Sequence, residues 1–186
     1  MRRDRRPILA GAEPLPARQK WRAILLATLV LVPGYWSLLA GLVATGSDDD
    51  GAPFAAPYIA FGLALVPFVF VVLAFLSEHP RAPGAVAKAM VLALVIGIPV
   101  SAIAADAVTG LVAGLGAGGI AALRADVADD TKRRAVAVAI ASAATFVLLR
   151  SIPEVGVLLA PVLPFSSLGV ADHLSERREA RRSSES

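Results

Sequence analysis

The sequence predicts an all-α integral membrane protein, a bundle of about six transmembrane helices with no soluble domain. The chain is 56% hydrophobic and its mean hydropathy is +0.69, whereas soluble domains are about 45–50% apolar. Charged residues make up only 18% of the sequence and fall in clusters. The apolar runs between these clusters are long enough to cross a bilayer core of about 30 Å.

Six apolar segments lie between two polar, basic ends. We predict spans at about residues 23–45, 56–76, 85–104, 107–123, 135–149 and 155–170, within a transmembrane domain of residues 21–171. We expect residues 1–20 and 172–186 to be disordered cytoplasmic segments. The apolar sequence from residue 85 to 123 would be about 60 Å long as one helix, twice the bilayer core. It must therefore fold back, and Asp106 is the only charge at which it can turn.

The distribution of basic residues predicts the orientation. Six spans place 17 of the 18 Lys and Arg on one side and Arg150 alone on the other. Because short cytoplasmic loops are enriched in Lys and Arg, both termini are expected in the cytoplasm. The alternative is five spans, with the proline-rich last segment lying at the membrane interface. Arginine is far more abundant than lysine, which suggests a GC-rich genome, so we expect a bacterial cytoplasmic membrane.

Glycines recur every four residues in the fourth predicted span, at Gly110, Gly114 and Gly118. Residues with this spacing share one face of a helix, and small residues there let a second helix approach closely in a membrane. We predict that this row packs against another helix, of the same chain or of a second one. Its expected partner is a row of alanines in the fifth span, Ala135, Ala139 and Ala143.

Prolines near the middle of several predicted spans define a candidate ligand site. The candidate residues are Pro33, Gly34, Tyr35, Trp36 and Pro67. Many transporters expose backbone groups to a substrate where helices break at mid-depth, and Tyr and Trp are normally enriched at the membrane interfaces instead. The alternative is ordinary helix packing, because proline and glycine are common in membrane helices.

Ionisable residues inside a membrane are strong pointers to function, and here they are nearly absent. Asp106 is the one candidate for an ion or proton site, and the alternative is a solvated residue of an outer turn. His79 and His173 do not cluster with carboxylates, so no metal site is predicted. The chain has no cysteine, which excludes thiolate metal sites and cysteine nucleophiles. No cofactor is expected.

Three functional hypotheses follow. The first is a non-enzymatic membrane protein that packs against a membrane-protein partner or a second copy of itself. The second is a small permease or transporter subunit with a site at proline-broken helices. The third is a lipid-modifying enzyme, suggested only by the acids of residues 126–130 near a helix end. The sequence has neither a phosphate-binding loop nor a hydrolase nucleophile motif.

Lipids are the remaining expected partners. The basic termini are expected to attract anionic lipid head groups, since each Lys or Arg near the surface contributes about 1 kcal/mol. Nucleic-acid binding is not expected, because no folded basic domain is predicted.

Overall fold

The computed structural model of the chain describes residues 15–46, 52–126 and 128–184, which form seven helices and no strand. In chain order the helices are α1 (Ala17–Thr45), α2 (Ala52–Leu76), α3 (Ala82–Ala104), α4 (Ala107–Ala122), α5 (Ala128–Ser151), α6 (Pro153–Leu159) and α7 (Leu163–Ser184). Four of them, α1, α2, α3 and α5, are long and apolar enough to cross a membrane. The described residues are therefore consistent with a multi-pass helical membrane protein.

The turn between α3 and α4 consists of two residues. Ala105 adopts a left-handed conformation, with φ at 50°, and its N–H bonds back to the last turn of α3. Asp106 then caps α4, because its carboxylate accepts hydrogen bonds from the N–H groups of Val108 and Thr109 at 3.1 and 2.8 Å. These N–H groups have no partner within the helix itself. The apolar stretch therefore folds back at these two residues.

Helix α4 is the centre of the bundle. Ten of its sixteen residues are buried, and it contacts α2, α3, α5 and α7. At sixteen residues it is only about 24 Å long, shorter than a bilayer core of about 30 Å. Its neighbours, rather than lipid, therefore surround most of it.

Helices α1 and α2 form a second close pair, and glycines again allow the approach. A Cβ added at Gly62 of α2 would lie 2.7 Å from the carbonyl oxygen of Gly34 on α1. A Cβ at Gly41 would lie 3.1 Å from the carbonyl oxygen of Ala55. A side chain at Gly62 would therefore push the two backbones apart, and one at Gly41 would crowd them.

The sixth predicted span is not one straight helix. Helix α6 has seven residues, and α7 begins after a break with a bend of 67°. Pro161 lies in the break and Pro164 in the first turn of α7, where a missing N–H and a fixed φ end one helix and start the next. If this bent pair counts as one span, the described residues contain five candidate spans and the shorter apolar α4.

The two polar ends differ from the expectation of disorder. Helix α7 continues through residue 172 to Ser184, and α1 already begins at Ala17. The reason is burial, because Lys20 and Asp172 lie inside the bundle with charged partners. Residues 1–14 and the acidic loop around Asp49 lie outside the described residues.

Candidate functional site

Arg134 is a fully buried cation at one end of the bundle. Its guanidinium donates two parallel hydrogen bonds to Asp172 of α7, from Nε to Oδ1 at 2.9 Å and from Nη2 to Oδ2 at 2.7 Å. It also donates from Nη1 to the Leu123 carbonyl at 3.0 Å and from Nη2 to the Arg124 carbonyl at 2.9 Å. Carbonyls at a helix C-terminus lack partners within the helix. One side chain thus closes the end of α4 and ties α5 to α7.

Lys20 brings the start of the chain into the same cluster. Its ammonium lies 3.0 Å from Oδ2 of Asp126 and 4.0 Å from Oδ2 of Asp172. Asp126 also lies 3.1 Å from Nε of Arg124 and accepts a hydrogen bond from the N–H of Leu15 at 3.3 Å. We call Lys20, Arg124, Asp126, Arg134 and Asp172 the charged cluster. It joins α1, α5, α7 and the segment after α4.

Asp126, the first of the acids of residues 126–130, is therefore placed among basic partners. Both oxygens of Asp126 face a cation, and its side chain is only 12% exposed. Asp130 is buried as well. Among the residues that the structure describes, no three His, Asp or Glu side chains are grouped so that they could hold a metal ion.

His79 lies in the turn between α2 and α3, at the same end as the charged cluster. Its Nδ1 accepts a hydrogen bond from the N–H of Arg81 at 3.2 Å. Partial burial lowers the pKa of His79 below its ordinary value of 6.5, and the positive charges of Arg124 and Lys88 lower it further. Both effects therefore favour the neutral form of its imidazole.

Tyr35 and Trp36, two of the ligand candidates, point in different directions. Tyr35 is buried, and its hydroxyl donates a hydrogen bond to the Val157 carbonyl of α6 at 2.9 Å. Trp36 is 43% exposed on the outer surface, in a shallow depression beside Tyr58 and Phe61. The structure does not bring the two side chains into one common cavity, although their rings are in edge contact.

The other ligand candidates lie within continuous helices. Helix α1 runs through Pro33, and α2 runs through Pro67. Gly34 packs against the side chain of Leu65. The expectation of breaks at Pro33 and Pro67 is therefore wrong for these described helices, because the flanking apolar sequence keeps the helix going. The bend before α7 is the one break at mid-helix prolines among the described residues.

The carboxylate of Asp106, the candidate ion or proton site, caps the N-terminus of α4. Besides the two N–H groups of α4, it accepts a hydrogen bond from the hydroxyl of Thr109. All of these partners belong to the first turn of α4.

The glycine row of α4 faces α3. A Cβ at Gly110 would lie 2.6 Å from the Gly97 carbonyl oxygen, and one at Gly114 would lie 3.1 Å from the Gly97 Cα. At Gly118 the neighbours are the ring of Phe70 and the Ala89 carbonyl. The row therefore allows backbone-level contact inside one chain.

The remaining glycines of α4 admit its other neighbours. Gly116 lies against Val138 of α5, and Gly119 lies against Phe165 of α7. Added Cβ atoms would approach these side chains to 2.5 and 3.0 Å. Glycine is thus present wherever α4 meets another helix closely.

The expected partner row on α5 lies elsewhere, which corrects our prediction. Ala135, Ala139 and Ala143 are exposed on the outside of the bundle. The physical reason is the two-residue turn after α3, which leaves α3 as the antiparallel neighbour of α4. The alanine row is therefore a free small-residue surface in the described part of the chain.

An open groove of about 710 Å³ runs between α5 and α7. Lys132 and Arg133 line one end of it, and its walls are almost entirely apolar. Ala137 and Ala141 of α5 face Ser167 and Ala171 of α7 across it. Sequence reasoning did not find this groove, because it depends on how far apart two helices lie.

The buried ion pair of Arg134 and Asp172 was also not predicted from the sequence. Each borders a predicted span, where a charge is normally taken as solvated. The available signal was their position, because opposite charges flank two successive spans on the same side of the predicted membrane.

Comparison with known proteins identifies no relative. No family model, no curated protein and no solved structure matches the chain.

Proposed function

We propose that the protein is a non-enzymatic membrane protein that binds a membrane-protein partner through α5. In this proposal six segments cross a bacterial cytoplasmic membrane, with both termini in the cytoplasm. The single observation that carries the proposal is the exposed alanine row of Ala135, Ala139 and Ala143.

The exposed face of α5 includes a row of small residues. Helix α3 exposes large apolar residues such as Leu94, Val95 and Ile98, as expected for contact with acyl chains. Helix α5 exposes alanines at every fourth position, beside the larger exposed residues Val136 and Ile140. Small residues with this spacing favour close helix packing in membranes.

Hydropathy also distinguishes α5 from the other long helices. Its mean hydropathy is 1.5, against 2.0, 2.8 and 2.2 for α1, α2 and α3. The buried share of its most apolar stretch is 28%, equal to that of α2 and above the 11% of α3. A helix of low hydropathy with a small-residue outer face is better suited to a protein neighbour than to lipid.

The topology is supported by contacts between distant parts of the chain. Nζ of Lys20 and Oδ2 of Asp172 are 4.0 Å apart, so the start of α1 and the middle of α7 lie at the same end of the bundle. That end holds most of the basic residues, which favours a cytoplasmic location for it.

Reporter fusions test this topology. Fusions at Asp106 and Glu154 should report the outside, and fusions at Arg81 and Asp130 should report the inside. An inside reading at Asp106 would contradict six segments.

The absence of cysteine from the chain permits a direct test of the partner surface. The Ala139→Cys variant is labelled in native membranes with a maleimide that carries a photo-crosslinking group. The Leu94→Cys variant, labelled on the outer face of α3, is the matched control. The expected result is one discrete product from Ala139→Cys and none from the control. Mass spectrometry then identifies the partner as a second copy or another protein.

A second experiment separates packing from simple proximity. Ala139→Leu fills the alanine row and should abolish a product formed from a photo-crosslinker at Ala143→Cys. If Ala143→Cys gives the same product with and without Ala139→Leu, or reacts only with lipid, the proposal is wrong.

A small permease remains the alternative, favoured by the bend between α6 and α7. Discontinuous helices form binding sites in many transporters, and here Tyr35 contacts the backbone of α6 near the bend. Val162, in the break, is 39% exposed. Val162→Cys should react with a charged, membrane-impermeant maleimide if water reaches the break. No reaction, with normal labelling of Glu154→Cys, would argue against transport at this position.

A further inference from the structure

The groove between α5 and α7 has two chemically different parts. At the end near the charged cluster it is lined by Lys132 and Arg133, and none of the carboxylates that the structure describes lines it. The rest of the lining is alanine, valine, leucine, isoleucine and serine. A ligand that fits both parts carries a negative group at one end and a hydrocarbon chain at the other.

Serine does not make the groove polar. The hydroxyl of Ser167 donates to the Pro164 carbonyl at 2.8 Å, and that of Ser175 donates to the Ala171 carbonyl at 2.9 Å. The Ser166 hydroxyl donates to the Leu163 carbonyl at 3.4 Å. Because these hydroxyl groups already donate to carbonyls of their own helix, the groove wall presents mainly apolar atoms to a bound ligand. This favours an acyl chain over a polar solute.

The basic residues at the groove differ from the other cations nearby. Lys20, Arg124 and Arg134 all pair with carboxylates. Lys132 is exposed and Arg133 is half-buried. Neither forms an ion pair with any residue in the described part of the chain. Their charges are therefore available to an anion from outside.

The length of the groove matches one leaflet. Its α5 wall runs from Lys132 to Ala144, which corresponds to about 18 Å along a helix. Half of a bilayer core is about 15 Å. With Lys132 at the head-group level, the groove ends close to the middle of the membrane.

We propose that this groove binds one anionic phospholipid. Its phosphate lies against Lys132 and Arg133, and an acyl chain lies along Ala137, Ala141 and Ala144. Resting on the orientation given under the proposed function, the site lies in the cytoplasmic leaflet, where anionic lipids attract basic residues. The groove borders the alanine row, because Lys132 lies on the same face of α5 as Ala139, whereas Ala137 and Ala141 lie on nearly the opposite side.

The test measures lipid binding to the full chain in mild detergent by native mass spectrometry. Phosphatidylglycerol and phosphatidylcholine with identical acyl chains are titrated in turn. We expect one phosphatidylglycerol to bind tightly and phosphatidylcholine to bind weakly. Lys132→Gln with Arg133→Gln should weaken phosphatidylglycerol binding about 30-fold, as expected for the loss of two basic contacts with an anionic surface.

A matched control removes two charges at the same end but outside the groove. Arg22→Gln with Lys88→Gln changes the net charge equally at two exposed positions, and it should leave the affinity within about 2-fold of the wild-type value. Equal weakening by both double variants would mean that only diffuse attraction is at work, and would overturn the site.

The acyl-chain position is tested on the unaltered protein, so that folding of a variant does not matter. Phosphatidylglycerol with a photoactivatable group near the end of one acyl chain is cross-linked and the peptides are mapped. The expected labels lie on α5 near Ala144 and on α7 near Leu163. Labels confined to α1, α2 or α3, or labelling unchanged by excess unlabelled phosphatidylglycerol, would contradict the proposal.

Discussion

Arg134 of α5 and Asp172 of α7 are joined by two parallel hydrogen bonds, and the arginine is fully buried. This geometry is the strong form of an arginine–carboxylate pair. The same guanidinium bonds the carbonyls of Leu123 and Arg124. The pair therefore fixes three parts of the chain at once, the end of α4, the start of α5 and the middle of α7.

Arg134→Met should strongly destabilise the bundle. It leaves Asp172 buried with only Lys20 near it, at 4.0 Å, and leaves two carbonyls without their donor. Removing one partner of a buried ion pair costs about 3–5 kcal/mol. The apparent Tm in detergent should fall, and Arg177→Met on the exposed face of α7 is the control. The double variant Arg134→Met with Asp172→Leu should recover part of the loss. A Tm equal to that of the control would show that the pair does not stabilise the fold.

Gly114→Leu should lower the yield of folded protein. Even a Cβ at this position meets the carbonyl of Ala93, and Gly97 lies 3.1 Å away. Helices α3 and α4 would have to separate along their whole contact. Gly84→Leu is the matched control, because a Cβ there meets nothing within 4 Å. Size-exclusion profiles and thermal unfolding in detergent give the measurement. Equal behaviour of the two variants would mean that close packing at the glycine row is unimportant.

Hydropathy and charge were enough to predict long apolar helices, and Asp106 was enough to locate a turn. A continuous apolar run must fold back when it exceeds the bilayer, and an aspartate caps the next helix well. The neighbour of the glycine row was not predictable from spacing alone. Spacing defines a face of α4, whereas the short turn at Ala105 decides that α3 lies against it.

Charged residues at helix ends were the least predictable part. Lys20 and Asp172 lie in basic, polar sequence that favours disorder, yet both are buried. Their burial depends on charge pairs between residues far apart in the chain, and no local pattern encodes such pairs. The break before α7 was visible only through its prolines, and α1, α2 and α3 also carry internal prolines without breaking.

Tyr35→Phe should destabilise the protein modestly. The ring stays buried, but the hydrogen bond to the Val157 carbonyl is lost. The expected decrease in the free energy of unfolding is about 1–3 kcal/mol, because the variant leaves a carbonyl without its partner. Trp36→Phe, at an exposed position on the same turn, should change it by less than about 0.5 kcal/mol. Unfolding is followed by titration with a denaturing detergent. A larger effect from Trp36→Phe would contradict the assigned contacts.

His79 should make stability depend on pH in a defined direction. Burial and the charges of Arg124 and Lys88 lower its pKa in the folded protein, whereas the unfolded value is near 6.5. Above that value the imidazole is neutral in both states and contributes no pH dependence. As the pH falls below 6.5, the unfolded chain binds the proton first, so the free energy of unfolding decreases until the lowered pKa is passed.

The measurement compares wild type with His79→Gln, which cannot titrate. Apparent Tm values in detergent are recorded between about pH 7.5 and 5. The wild type should lose more stability than the variant in the window below 6.5, and the two curves should run parallel above it. Carboxylates that titrate at lower pH contribute equally to both proteins, so the difference between the curves isolates His79. Parallel curves over the whole range would show that its pKa is not lowered, and a steeper loss in His79→Gln would reverse the sign.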